Sequence, residues 1–264
     1  MPNQPSSSLP SSTIDAYGRV LVQLDAPLIS ITVSVQRYAC QTPGYGTGQV
    51  DRMTYKDRLL GAIGGVRGII REGMTVSGFV GVFSGKGTMD DIAKCLRLAA
   101  RHRIFHHARP ALPQTAQISY QSALQGVVDA YIGMDCNGFV GNWAIYNGVP
   151  GASASFLPLD WLSGRTQRLS LADIQPYDIA VWASGVHIGM IESVTALAPG
   201  ARSRDVGFAE SSSGGMRMRI GTQIKLASTP TNTPRGGWRT SFLLKNEIHN
   251  DSPVVFASMA RGGR

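Results

Sequence analysis

Apolar and polar positions alternate through Val20-Leu21-Val22-Gln23-Leu24 and again from Leu28 to Val35, on either side of Asp25-Ala26-Pro27, which predicts two strands joined by a turn. From Leu59 the spacing changes. Leu59, Leu60, Ile63, Val66, Ile69 and Ile70 recur with helical period, but Gly61, Gly64, Gly65 and Gly68 interrupt them. With no Gly-Lys-Ser/Thr after it, this glycine run reads as a close-packed surface of small residues, not a phosphate loop. A clearer helix is predicted over Met89–Ala100, where Ile92, Cys95 and Ala99 share a face, and another over Ser119–Tyr131 through Ala123, Leu124, Val127, Val128 and Tyr131. After the turn Tyr131-Ile132-Gly133-Met134-Asp135, the residues Phe139, Val140, Trp143, Ala144 and Tyr146 continue at helical spacing. Cys136 therefore falls in a first helical turn.

That position changes what a thiol can do. The unpaired N–H groups and the positive dipole end of a helix N-terminus favour thiolate over thiol. A base is available in Val186-His187-Ile188-Gly189-Met190-Ile191, a histidine set in an apolar, strand-like run, and sequence distance does not prevent the two from meeting. Spacing alone is a weak argument, because a lone cysteine on an apolar face and a lone histidine in a strand usually serve packing.

Four motifs in order strengthen it. Asp135-Cys136-Asn137-Gly138-Phe139-Val140 resembles the nucleophile motif Asp-Cys-Ser-Gly-Phe/Leu-Val of the NlpC-type cell-wall cysteine peptidases. Ile174-Gln175-Pro176-Tyr177-Asp178-Ile179-Ala180-Val181-Trp182 is similar to that family's Leu-Gln-Pro-Gly-Asp-Leu-Val-Phe-Phe strand, and His187-Ile188-Gly189-Met190-Ile191 to its His-Val-Gly-Ile-Tyr. Phe208-Ala209-Glu210-Ser211-Ser212-Ser213-Gly214 resembles Phe-Val-His-Ala-Ser-Thr-Ser, with glutamate where the third catalytic residue is commonly histidine. The resemblance spans about residues 115–225 and implies a papain-like α+β fold, with helices packed on a mostly antiparallel sheet and an N-terminal extension. It implies a Cys136–His187–Glu210 triad, substrate contacts at Tyr131 and Asp135, a structural Asp178, and no cofactor or metal. The implied activity is a peptidoglycan amidohydrolase cutting an amide of the stem peptide, as an antibacterial effector or lysin served by secretion machinery and countered by an immunity protein. The same three residues also suit acyl transfer or deamidation on a protein or lipid, and an inactive binding module would keep the fold alone.

Composition narrows the rest. With 264 residues, 43% of them hydrophobic, the chain can bury one large core or a catalytic domain with an addition. The expected division is a Pro/Ser-rich disordered tail over 1–15, an extension over 16–110 and a hydrolase domain over 111–264. A formal net charge of +8 favours anionic partners, but the basic residues are scattered with no cationic block or aromatic-interleaved motif, which argues against nucleic acid. Three cysteines make no disulfide framework: Cys95 reads as a buried inert thiol, and Cys40 precedes a glycine-rich loop with no assigned role. His102, His106 and His107 lie among arginines that oppose a cation, so they read as a solvated basic helix end. No signal-peptide pattern opens the chain and no long apolar run crosses a membrane, which predicts a cytoplasmic protein until export to the periplasm or beyond.

Overall fold

In the computed structural model, the described residues are 5, 8–25, 28–38, 49–105, 117–212, 214–233 and 238–261. Cys40, His106, His107 and Ser213 lie outside them. The elements in chain order are α1 (Pro10–Tyr17), β1 (Val20–Asp25), β2 (Leu28–Val33), α2 (Gln49–Ala62), α3 (Gly65–Arg71), α4 (Val76–Phe83), α5 (Met89–Arg101), α6 (Gln117–Tyr131) and α7 (Cys136–Tyr146). The strands β3 (Arg165–Gln167), β4 (Ile179–Trp182), β5 (Ile188–Val194), β6 (Ser203–Ser212), β7 (Gly215–Asn232), β8 (Arg239–Lys245) and β9 (Ser252–Arg261) follow.

The expected papain-like arrangement, helices on a mostly antiparallel sheet, is not what the chain forms. The strands β4 to β9 pair antiparallel in sequence order, and β9 pairs with both β8 and β4, so six strands close into a barrel. One edge of β9 takes β4; the other is divided between β8, at Ser252–Val254, and β3, at Ala257 and Arg261. Closure leaves these strands without open edges. Register shifts after Ile191, Val206 and Leu226 bend the strands around the circle. The closing contacts join residues 254–257 to 179–182, a non-local pairing that short motifs between 115 and 225 do not encode.

Two-residue alternation then fills both faces. Ala180, Trp182, Ile191, Val206, Phe208, Ile224, Phe242, Leu244, Val254 and Phe256 pack together inside the barrel, capped by Leu171 and Ile174. Ile179, Val181, Ile188, Met190, Ala209, Val255 and Ala257 face outward into a second core shared with the helices and with β1 and β2. This second core runs across the expected boundary at 110/111, because Tyr17, Val22, Leu59, Phe83 and Leu96 belong to it together with Phe139 and Met190. The extension is thus part of one packed body.

Several local expectations agree with the structure. β1 and β2 pair from Val20↔Val33 to Asp25↔Leu28, and α5 begins with a Thr88/Asp91 capping box and buries Ile92, Cys95 and Ala99. Burial pushes the Cys95 thiol well up, which fits an inert role. Two expectations are corrected. Within the supposed disordered tail, Pro10–Tyr17 forms a helix whose Thr13, Ile14 and Tyr17 are buried. In the glycine run, only Gly68 is tightly packed, with no room for a Cβ against the Ile63 carbonyl; Gly61, Gly64 and Gly65 face open space, and positive φ at Gly64 and Gly65 makes the turn between α2 and α3.

Tyr177 shows what a sequence departure costs. It stands where the resembled motif has glycine, and its φ is 70°, a left-handed backbone that a side chain disfavours by about 1–2 kcal/mol. Its ring stacks on Trp143 with centroids 5.5 Å apart, an interaction worth about 0.5–1.5 kcal/mol. Tyr177→Ala keeps the strained backbone and loses the stack, whereas Tyr177→Gly loses the stack but relieves the strain. In urea unfolding, the alanine variant should be less stable than the glycine variant by about 1 kcal/mol; equal or reversed stabilities would mean that residue 177 is not left-handed in solution.

Candidate functional site

The Cys136 helix starts where the sequence pattern places it, and its seat is built by the extension. Asp135 is the N-cap of α7, and its carboxylate accepts from the N–H of Gly138. The Asp135 N–H donates to the Gly85 carbonyl at 2.9 Å, and the Met134 N–H to the Arg37 carbonyl at 2.8 Å. A Cβ at Gly138 would come within 1.9 Å of that same Gly85 oxygen, so only glycine lets the first helical turn rest there. One turn further along, Asn142 Nδ2 donates to the Gly87 carbonyl at 3.1 Å. From the other side, Ser211 Oγ donates to the Met134 carbonyl at 2.7 Å, tying β6 to the turn before Cys136. Helix α7 lies against β5 and β6, and Cys136 is almost fully buried.

The strands supply the polar partners. Glu210 pairs across to Gly189, two residues beyond His187, and the ring of Phe208 fills the space where a Gly189 side chain would stand. His187 Nε2 is 2.7 Å from Glu210 Oε2. The histidine and glutamate foreseen from sequence therefore meet. Cys136 stands on α7, packed in the outer core with Ile188, Met190 and Ala209, whereas Glu210 shares the inner face of β6 with Phe208.

Two further residues complete the cluster. Arg219 Nε donates to Glu210 Oε1 at 2.6 Å, with Arg219 Nη2 donating to Ser212 Oγ. His249 Nε2 lies 3.0 Å from Glu210 Oε2 and 3.2 Å from Oε1. Trp182 sits beside both imidazoles, its ring edge-on to that of His187 at 4.6 Å and tilted against that of His249 at 4.7 Å. Neither partner was foreseen. In Met216-Arg217-Met218-Arg219 the alternation suggests a charged, solvated face, yet Arg219 is 3% exposed. His249 sits in the β8–β9 turn, shaped by Asn246 Oδ1 accepting from the N–H groups of Ile248 and His249. The polar run Asn246–Asp251 between two apolar strands was the available signal, but nothing in it points to Glu210.

Charge is decided by these partners. Glu210 has no exposed surface, and burial alone pushes its carboxyl up; hydrogen bonds from His187 and His249, and their charges, outweigh burial and hold it well below the usual range. An ionised carboxylate only accepts hydrogen bonds, so both imidazoles carry their proton on Nε2. In a neutral His187 ring, Nδ1 is then the atom with a lone pair.

The other sequence-derived residues serve elsewhere. Tyr131 is buried and stacked on Tyr55 with ring centroids 4.2 Å apart, and Asp135 is turned into its own helix. Asp178 makes a two-pronged ion pair with Arg168, both contacts at 2.8 Å, which fits its expected structural role. His102 caps the end of α5. Asn137, where the resembled motif has serine, donates from Nδ2 to Cys136 Sγ at 3.8 Å. A cleft of about 500 Å³ lies at the far end of α7, lined by Trp143, Tyr177, Arg168 and Met259 among others. Among the described residues, His187, Glu210 and His249 form one group of metal-ligating side chains whose donor atoms all lie within 4.8 Å of one another. No helix among the described residues is long and apolar enough to cross a membrane. No protein-family model, curated protein or solved structure matches this chain.

Asp135 yields a pH test. Burial pushes its carboxyl up to about 7, against the pull of Lys86 and of the Gly138 and Asn137 N–H groups. Between the ordinary value of 3.8 and about 7, the folded chain binds this proton more tightly than the unfolded chain, so Asp135 withdraws stability as pH rises through that window. Asn caps a helix about as well as Asp. Unfolding free energies from pH 4 to 8 should show Asp135→Asn gaining on the parent as pH rises, with the gap levelling off above 7. A pH-independent gap would mean that Asp135 titrates normally.

Proposed function

We propose that this chain is a cysteine amidohydrolase acting on peptidoglycan stem peptides, with Cys136 as nucleophile, His187 as base and Glu210 as the group that orients the base. The observation that carries the reading is the 2.7 Å contact between His187 Nε2 and Glu210, which leaves Nδ1 of His187 to serve a thiol. The seating of α7 across β5 and β6 supports it, as does the rigid bracing of the Met134–Gly138 turn. The choice of peptidoglycan rests on the four ordered motifs, with export to the periplasm or beyond following from that substrate.

In this reading His187 Nδ1 takes the proton of Cys136, and the sulfur attacks the amide carbonyl carbon. The carbonyl electron pair moves to oxygen and returns as the C–N bond breaks, with His187 giving its proton to the leaving nitrogen. Water, deprotonated by the same Nδ1, then cleaves the thioester and restores the thiol. Glu210 stabilises the imidazolium at each stage and fixes the ring, the task that aspartate performs in serine triads. Arg219 and His249 hold Glu210 in place. The expected Tyr131 and Asp135 substrate contacts are not part of this proposal, since both side chains are committed to packing and capping.

Purified sacculi incubated with the protein, with products identified by mass, test both substrate and bond. Cys136→Ala should abolish product release and Cys95→Ser should retain it. Glu210→Gln should lower turnover by about tenfold to a thousandfold, because an orienting group contributes less than the nucleophile. Full activity of Cys136→Ala would overturn the nucleophile. An inert wild type on sacculi that still acylates or deamidates a protein or lipid would move the chemistry to that class.

A further inference from the structure

We propose that His187, Glu210 and His249 form a binding site for a zinc-type divalent ion, and that its occupancy silences the thiol chemistry proposed above. The binding half stands on geometry alone; the silencing half rests on that functional reading.

Three observations carry the site. Both imidazoles present Nε2 to one carboxylate oxygen, Glu210 Oε2, at 2.7 and 3.0 Å, and the three donor atoms lie within 4.8 Å of one another. Zinc bonds of about 2.0–2.2 Å in a tetrahedral site put ligand atoms roughly 3.3 Å apart, so the two imidazole–carboxylate contacts need to open by only a few tenths of an ångström, while the two Nε2 atoms, at most 4.8 Å apart, settle at the same spacing. Arg219 engages Oε1 and leaves Oε2 as the single oxygen ligand, as outer partners of metal-bound carboxylates do. Side-chain exposures of 12% for His187 and 15% for His249 give an ion and a fourth, water ligand access from solvent. Two imidazoles and one carboxylate oxygen suit zinc and its neighbours, not the all-oxygen shells of calcium or magnesium. The buried Arg219 charge opposes a cation, but Glu210 already neutralises it, and the added charge falls on the two imidazoles' side of the carboxylate.

Silencing follows from proton accounting. When the Nε2 lone pair of His187 bonds to the ion, the neutral ring keeps its one proton and carries it on Nδ1. That nitrogen then has no lone pair for the Cys136 proton, and the thiol stays protonated. The ion is an inhibitor in this scheme, and the uninhibited chemistry needs no metal.

Zinc titration of the full chain against a chromophoric chelator, with Co²⁺ absorption as a second readout, tests the site without reference to activity. Expected are one ion per chain, a four-coordinate cobalt spectrum lacking a thiolate charge-transfer band, and unchanged affinity in Cys136→Ala. His249→Gln should weaken binding at least about tenfold, since even the loss of an outer partner costs that much. Absence of binding, an unaffected His249→Gln, or loss of the ion in Cys136→Ala would each overturn the site. If sacculi are cleaved and one bound zinc does not suppress the rate at least tenfold, the silencing half is wrong. If sacculi are never cleaved yet zinc binds as described, the functional reading fails and the site stands.

Discussion

A carboxylate with no exposed surface sits at the end of the barrel, and its neighbours are arranged around the need to keep it ionised. Removing such a charge from water costs several kcal/mol, which Glu210 recovers from a buried guanidinium and two imidazoles. Each partner comes from a different place: His187 from the residue before β5, Arg219 from β7 and His249 from the β8–β9 turn. Withdrawing one leaves a buried charge short of a partner, so this cluster binds those strand ends to one another.

Barrel closure is what makes the cluster possible. An open sheet ending at β6 would leave Glu210 beside His187 alone. Pairing of β8 with β9, and of β9 with β4, returns the β8–β9 turn to Trp182 and His187. Apolar side chains fill most of the barrel interior, with Phe208 beneath Gly189 and Trp182 against both imidazoles, so the charged cluster is bounded by the apolar core on that side.

The thiol is supported from the opposite direction. Backbone carbonyls of Arg37, Gly85 and Gly87 receive the turn and first helical positions around Cys136, and Ser211 joins that turn to the strand that bears Glu210. The first hundred residues thus build the seat of the candidate nucleophile, and the two halves share one hydrophobic core. This division explains why the region carries no chemical motif of its own: its contribution is made through backbone oxygen atoms and through glycines that permit close approach.

Local pattern alone determined the β1–β2 pair, the amphipathic α5, the burial of Cys95 on its inner face and the helix beginning at Cys136, whereas His187 with Glu210 came as a candidate pair only from the motif resemblance. The local features depend on periodicity, capping and neighbouring residues, all of which are written within a few positions of one another. Tertiary structure decided the closed barrel in place of an open sheet, the burial of Arg219 despite its place in an alternating charged run, the arrival of His249, and the diversion of Tyr131 to Tyr55 and Asp135 to the α7 cap. The physical reason is the same for each. Strand closure and the solvation of a charge are set by residues tens of positions away, and alternation marks which residues share a face without saying whether that face meets water or a buried carboxylate.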